Sequence, residues 1–589
     1  MHDWLYHRAK MKKIISIIFI LFTVSLHSQT VRYVSKSGSS IPPYTSWETA
    51  CDSIRPVIAI CESGDTIFID SGLYRDTLDI NIPLTIIGQG IENTIFDAND
   101  ARLYAINVNS NCNFQNIRFI GNTQQLYSGS KIIHFNTSDT LYVDSCSFEL
   151  ASSHISNFHG SMQIKNSIFN LYLGTTGIIS GSNTPGTGDV IDNCQFLSIE
   201  DGTGIRLAGE RITVRNSFFK GLSKSMLHTF VSKNIILENN IFSAKRNSLD
   251  IYIVTDSLII RNNLFHNHNN PEFRAVLIRD VNVGRIYNNV FFNNSKGYSI
   301  EVYQDYDADY NAFYGNEQDL LINATYGDHD VFLEPMFEGE FDGTTSPEEL
   351  LAYLQKYSPL IDAGTPFVKD LDLTVSDIGP HGGPFGKVYE YKDLPPNKPS
   401  KPNFAGINHD PLKLKWSSNT EHDLAGYKIY IDTESNFTPS VSNFIMFTDT
   451  NFAEIDTVLS ETIFIKTIAV DNQGNESIPS EAMQIIVTSI KEWDTLEPEF
   501  RLYHNYPNPF NPETKIRFSL KEESQVTIKI FDIRGELIKK EKEKLYPAGG
   551  HQLTLNLSNF ASGIYIVTLQ AEKNGKPVYI DSKKITLLK

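Results

Sequence analysis

RNSFFKGLSKSMLHTFVSKNIILENNIFSAKRNSLDIYIVTDSLIIRNNLF, residues 215–265, makes the same statement three times: Asn216 and Phe219, Asn239 and Phe242, Asn262 and Phe265 each close a segment with Asn-x-x-Phe. Moving outward, QNIRF, DSCSF, KNSIF and DNCQF precede it and YNNVF and DYNAF follow, adding Phe119, Phe148, Phe169, Phe196, Phe291 and Phe313. The nine Phe residues are 21 to 29 positions apart and average about 24, which is the period of a solenoid. Five positions before each Phe stands an apolar residue, from Phe114 to Ala308, with mostly polar residues after it. Alternation of period two marks a strand. Three before the Phe, seven of the nine positions are Asn, with Ser145 and Tyr310 as exceptions. Stacked coils lie about 4.8 Å apart, so an amide can donate to the same amide of the next coil, and Asn tolerates the left-handed backbone of a tight corner. The expectation is a strand, an Asn ladder at a corner, and an inward column of Phe rings.

This repeat resembles the right-handed parallel β-helix of the pectin-lyase-like superfamily, over residues 31–390. The resemblance extends to the front, where YVSKSGSS (33–40), SWETACDSI on a short helix and SGDTIFIDSGLYRDTLDINIPLTIIGQG (63–90) look like a first-coil cap. It extends to the rear, where YNAFYGN, VFLEPMF, YSPLIDAGTP (357–366) and DLTVSDIGPHGG (372–383) look like a terminating segment. Caps are needed because an open solenoid end is a sheet edge. Cys146 and Cys194 share the place two before the Phe but are separated by a whole coil, about 9.6 Å, which a disulfide does not span. They and Cys112 read as interior fillers, and Cys51 and Cys61, flanking a helix kinked by Pro56, as unpaired thiols.

The chain has 589 residues, 51 basic and 69 acidic, a formal charge of −18 that argues against nucleic acid as a partner. With 41% hydrophobic, 11% aromatic and only 20% charged residues, it has the profile of a β-rich secreted protein, and five cysteines are too few to staple it. Lys12 and Lys13 precede the apolar run 14–24 and then SLHSQT, a signal peptide over residues 1–28 with cleavage after Ser28; Met11 is an alternative start. Eleven apolar residues are too few to cross a bilayer, and no later stretch is longer, so no membrane span is expected in the mature protein.

DLPPNKPSKP (393–402) reads as a stiff linker. After it, residues 403–490 show short alternating strands; Trp416, DLAGYKIY (423–430) and AVDNQGNES (469–477) resemble a fibronectin type III sandwich, with Phe464 where that family usually has Tyr. Residues 500–589 form a second sandwich, and NYPNPFNP (505–512) resembles the C-terminal sorting domain of proteins exported by the type IX secretion system. That resemblance implies a secreted or outer-membrane-surface protein whose partner is the secretion machinery. The prolines exclude helix and are expected to leave unpaired carbonyls at an edge for a receptor.

In the β-helix family, ligands are polysaccharides laid along the outer face of the strand before the aligned repeat. Here those strands are GIRLAG, SMLHTF, SLDIYIV, AVLIRD and YSIEVYQ, and an outward stripe would carry Arg206, His228, Asp250 with Tyr252, Arg279, and Glu301 with Tyr303. Charge with aromatic faces suits uronate or neutral sugars. Asp250 and Glu301, two coils or about 9.6 Å apart, are the carboxylates of choice, with Arg206 or Arg279 as the uronate partner. A solvated charge ladder accounts for the same residues. The catalytic motifs of polygalacturonases and pectate lyases are absent, so a lyase, a hydrolase and a non-catalytic adhesin or glycan-binding scaffold stay open. No cofactor is fixed; calcium is the cation to test. DYDADYN (305–311) lacks the Gly and Glu of an EF-hand loop and reads as outward residues of the last coil. TSPEELLAYLQKY (345–357) reads as a surface helix, and His266 and His268 as a loop.

Overall fold

The computed structural model describes residues 29–588, apart from residues 99–103, 122–129, 173, 182–187, 199–201, 222–226, 244–248, 252–255, 268–273, 279–280, 295–297, 303–305, 321–324, 340–351, 406–411, 456–461 and 486–498. The signal peptide expected over residues 1–28 lies outside them. Two compact units divide the chain, the first built from residues up to 354 with 358–390, the second from residues 355–357 with 391–589.

In the first unit each coil contributes three short strands to three parallel sheets. An eleven-strand sheet, Gly72–Tyr74 to Ala312–Tyr314, carries the Phe column. A second sheet runs through Tyr104–Val108, Lys131–Phe135, Ser153–Asn157 and Thr176–Ser180, and a third through Cys112–Gln115, Thr140–Asp144, Ser161–Lys165 and Gly188–Asp192. The second and third join because Thr203–Arg215 and Leu227–Glu238 run through the corner between them. The expected solenoid is therefore present, and its nine Phe rings stack in one column with centroids 4.7 to 5.1 Å apart. All nine are at most 3% exposed. Burial of one such ring is worth about 2–3 kcal/mol, so the column is a main source of stability.

The corner three before each Phe is left-handed in every coil, φ 50° to 59°, including Ser145 and Tyr310. Backbone conformation thus explains the Asn preference. The ladder differs from expectation. At that position one amide-to-amide bond is seen, Asn193 Nδ2 to Asn166 Oδ1 at 2.7 Å, and it is exposed. The continuous buried ladder stands one residue later: Asn240 donates to Asn263, Asn263 to Asn289 and Asn289 to Asn311, at 2.9 to 3.0 Å. Upstream the same place holds Cys146, Ser167, Cys194 and Ser217, and the Ser167 and Ser217 hydroxyls accept from the backbone N–H of Cys146 and Cys194. All five cysteines are free thiols, as read.

The front strand Val31–Val34 pairs with Thr66–Ile69 and so belongs to the third sheet. The helix is shorter and later than expected: residues 46–53 form turns and bends with a bridge at Cys51, and one turn, Ile54–Ile58, buries Ile54 and Val57 against the solenoid interior. Pro56 sits in the first turn, where backbone N–H groups have no helical partner in any case, so its missing N–H costs no helical bond. The rear segment lies along the side of the solenoid. Asn239 donates to the carbonyls of Pro380 and Gly382, Asn262 to those of Asp377 and Gly379, and Asn288 accepts from Thr365 N–H, so residues 365–382 strap the left-handed corners of three coils. Most of the helix expected over 345–357 lies outside the described residues; residues 352–357 are not helical, and Leu354 bridges Phe337. His266 ends a strand, 1% exposed and stacked on Phe292, and is no loop residue; His268 lies outside the described residues.

In the second unit, strands between Asn403 and Ile485 make sheets of three and four strands closed over Trp416 and Tyr427, whose rings meet edge to face at 5.2 Å. Phe464 packs outside that core, beside Tyr430, Phe437 and Ile468. The last module has a three-strand sheet, Arg501–Leu502, Glu513–Leu520 and Gly549–Asn556, and a larger sheet ending in Lys576–Leu587. NYPNPFNP is bonded rather than open: Tyr506 and Lys515 exchange backbone bonds of 3.1 and 2.9 Å, Pro507 O accepts from Asn505 Nδ2 and Thr514 Oγ1, and Phe510 pairs with Thr586 and Leu588. Against the expectation of unpaired edge carbonyls in this segment, those of Tyr506, Pro507 and Phe510 all accept hydrogen bonds.

Candidate functional site

Parallel pairing puts one residue of each coil at the same height on the second sheet, and the register settles which belong together. Arg206 pairs with His228, His228 with Asp250, Asp250 with Leu277, and Leu277 with Glu301. Arg206 is exposed between buried Ile205 and Leu207, so at its coil this place faces outward. Of the stripe residues read from sequence, Arg206, His228, Asp250 and Glu301 share this register. The residue in register with Asp250 on the fourth strand is Leu277; Arg279, Tyr252 and Tyr303 lie outside the described residues. Leu277 is 4% exposed yet does not join the interior cluster that takes in Val276 and Ile278. Adjacent coils are about 4.8 Å apart, so Asp250 and Glu301 are separated by about 9.6 Å of backbone with an apolar residue between them.

The column continues toward the front of the solenoid. Ile179 pairs with Arg206, Ser156 with Ile179, His134 with Ser156, Asn107 with His134 and Asp79 with Asn107. Here the sequence reading missed a cluster. His134 stacks on Tyr104 with centroids 4.2 Å apart, its Nδ1 lies 3.0 Å from Ser156 Oγ, and Phe158 meets it edge-on at 5.6 Å. Lys131 Nζ stands 5.3 Å from the Tyr104 ring and 4.9 Å from Phe158. Tyr104 and Phe158 keep 37% and 39% of their surface exposed, large for rings on a sheet face. Burial, then the Lys131 charge, lowers the His134 pKa, and burial lowers that of Lys131. His134 is thus neutral at pH 7, a ring and hydrogen-bonding edge rather than a cation. The signal was available: KIIHF (131–135) and SHISNF (153–158) occupy the strand before the aligned repeat in two earlier coils.

At the end of the solenoid, Asp309 accepts from the His329 ring at 2.8 Å and from His329 N–H, and its carboxyl pKa is lowered although burial opposes this. Asp307–Asp309 is a strand of the third sheet, in keeping with outward residues of a last coil.

Residues 160–318 match the family described as a right handed beta helix region, and residues 504–580 that described as a secretion system C-terminal sorting domain. No curated protein matches. Among solved structures the chain is similar to dimeric latent PorU from Porphyromonas gingivalis, at 11% identity over 34% of this chain and 19% of that one, TM-score 0.15. It is also similar to the FN1–FN3 domains of chicken CNTN1, at 13% identity over 34% of this chain and 70% of that one, TM-score 0.14. The fibronectin(III)-like modules of Clostridium thermocellum CbhA match at 14% identity over 33% of this chain and 90% of that one, TM-score 0.11. The chain spans about a fifth of the length of the PorU structure. With a β-helix region and a C-terminal sorting domain, it is a secreted β-helix protein. No helix among the described residues is long and apolar enough to cross a membrane.

Proposed function

We propose that this protein binds a polysaccharide along the outward face of its second sheet, at the cell surface or outside the cell, after type IX export through residues 500–589. The observation that carries the reading is the single-register column of Arg206, His228, Asp250, Leu277 and Glu301, aligned with the solenoid axis. A linear polymer meets a new side chain about every 4.8 Å along such a column. Arg206 supplies a planar donor for a uronate carboxylate, and the exposed Tyr104 and Phe158 rings upstream supply stacking faces.

Hydrolysis is the second reading, favoured by Leu277. An apolar neighbour disfavours the charged form of a carboxyl, and a general acid needs a raised pKa beside a partner that stays ionised. The two-coil spacing of Asp250 and Glu301 is near the upper end of the inverting range. The test is to incubate the purified protein, with and without calcium, with acidic and neutral glycans, and to measure binding, new reducing ends and unsaturated ends. Retention of an acidic glycan that Arg206→Gln weakens supports the binding face. New reducing ends add hydrolysis, unsaturated ends replace it with elimination, and neither binding nor cleavage on any glycan overturns the proposal.

A further inference from the structure

The first sandwich of the second unit carries a group of acids that the glycan reading leaves unused. Asp423 precedes the strand Leu424–Asp432, Asp471 ends the strand Ile463–Asp471, and Asp393 opens the proline-rich segment. One carboxylate oxygen from each lies within 4.8 Å of the others. Two oxygens on opposite sides of a calcium ion, at about 2.3–2.6 Å each, are separated by a similar distance. Asp423 is 7% and Asp471 2% exposed.

The partners of these groups point to a missing cation. Asp471 accepts from Gln473 N–H, Asn475 N–H and Asn475 Nδ2, and Asn475 Nδ2 also donates to Asp393. Among the described residues no other one donates a hydrogen bond to the Asp423 carboxylate, although Asp423 is only 7% exposed and one of its oxygens lies within 4.8 Å of the other two groups. Glu421, two residues earlier and 8% exposed, has its Oε2 buried without a partner. Burial first, then the charges of Asp471, Asp393 and Glu421, raises the Asp423 pKa. Among the described residues no Lys or Arg forms an ion pair with any of the four. Buried carboxylates without a counter-charge cost several kcal/mol each, and a divalent cation removes that cost.

We infer that Asp393, Asp423 and Asp471 form a calcium site at one end of the first sandwich, tying the head of the proline-rich segment to that sandwich. The donors are all oxygen, which selects a hard cation over zinc, and ligands from three separate segments suit the adaptable shell of calcium better than the strict octahedron of magnesium. Asn475 orients two of the carboxylates by donating to both. The site is independent of the glycan face.

The experiment is calorimetric titration of the full secreted chain with calcium chloride and, separately, magnesium chloride, with thermal melts in calcium and in chelator. The expected result is a saturable calcium site with Kd of about 10⁻⁴–10⁻³ M, the range of extracellular modules, weaker magnesium binding, and a melting transition that calcium raises. Asp423→Asn should abolish this site. Because Asp423 is buried and its variant can fail to fold, Asp393→Asn, at an exposed position, is the second variant and should weaken calcium at least tenfold with an unchanged melt in chelator. No saturable binding to 10-fold above that range overturns the inference, and so does a parent-like isotherm for Asp393→Asn, which would place the ion elsewhere.

Discussion

Asn240 donates its side-chain amide to Asn263 Oδ1 at 3.0 Å, and its backbone N–H to the same oxygen at 3.0 Å. One amide thus holds the neighbouring coil twice, and both residues are fully buried. Asn263→Leu leaves those donors without an acceptor where water does not reach. A lost buried partner costs about 1–3 kcal/mol, so a drop of several kcal/mol in the denaturant midpoint analysis is expected. Asn193→Gly keeps the left-handed corner and loses one exposed bond, and should change stability by less than about 1 kcal/mol. Equal losses in the two variants would remove the buried ladder as a source of stability.

Asp189 should make the solenoid less stable as the pH rises. It stands in an inward position between Met162 and Ile212, accepts from Met162 N–H at 2.9 Å, and burial pushes its pKa up to about 6. Its folded value lies above that of an unfolded carboxyl, so the folded chain holds the proton more tightly. Stability is greatest below about pH 4 and falls until about pH 6, by on the order of 3 kcal/mol. His154, fully buried with its pKa lowered to about 3, acts oppositely and loses stability as the pH falls below about 6.5. Asp189→Asn keeps the acceptor and removes the titration. It should be more stable than the parent at pH 7.5 and similar to it at pH 4, by chemical denaturation; equal stability at pH 7.5 would contradict the buried-carboxyl account.

Gly382 is where the rear strap meets the corner of a coil. A Cβ there would stand 2.1 Å from Asp377 O and 2.7 Å from Asn262 Nδ2, and Gly382 O accepts from Asn239 at 2.6 Å. Gly382→Ala should detach the strap locally and cost about 2 kcal/mol or more. Limited proteolysis should then cut within residues 365–382, which the parent protects; an unchanged cleavage pattern and melt would mean that the strap is not held there.

On the proposed glycan face, Asp250→Asn and Glu301→Gln should each lower any hydrolysis at least 100-fold with binding retained, while Arg206→Gln weakens retention of acidic glycans more than neutral ones. Activity that survives both carboxylate changes would place the reaction elsewhere.

The Phe column was legible because each coil repeats one large apolar residue at a fixed place, and the left-handed corner because Asn marks it in seven coils of nine. The buried ladder was missed by one residue because Cys, Ser and Asn share that place and Asn fills it only from Asn240 onward. Along the outward strands of the second sheet, period-two alternation offers two outward places per strand, and only hydrogen-bond register picks out Leu277. The carboxylates of Asp393, Asp423 and Asp471 gave no sequence signal, since residues so far apart in the chain meet only through the sandwich topology.

The sorting module offers the last prediction. Pro507 O is held twice, by Asn505 Nδ2 at 2.9 Å and Thr514 Oγ1 at 2.8 Å, and Asn508 Oδ1 accepts from Thr586 N–H at 2.8 Å. NYPNPFNP thereby clasps the strand Glu513–Leu520 of one sheet to Lys576–Leu587 of the other. If this folded module is what the secretion machinery recognises, deleting residues 500–589 should leave the protein in the periplasm. Thr514→Val keeps the shape and removes one hydroxyl donor, at a cost of about 1 kcal/mol, so it should slow export without abolishing it. Fractionation of cells carrying each form, followed by blotting for the solenoid, reads both. A deletion form that still reaches the surface or the medium would show that export does not depend on this module; a Thr514→Val form retained as fully as the deletion would make the bonded clasp essential to recognition.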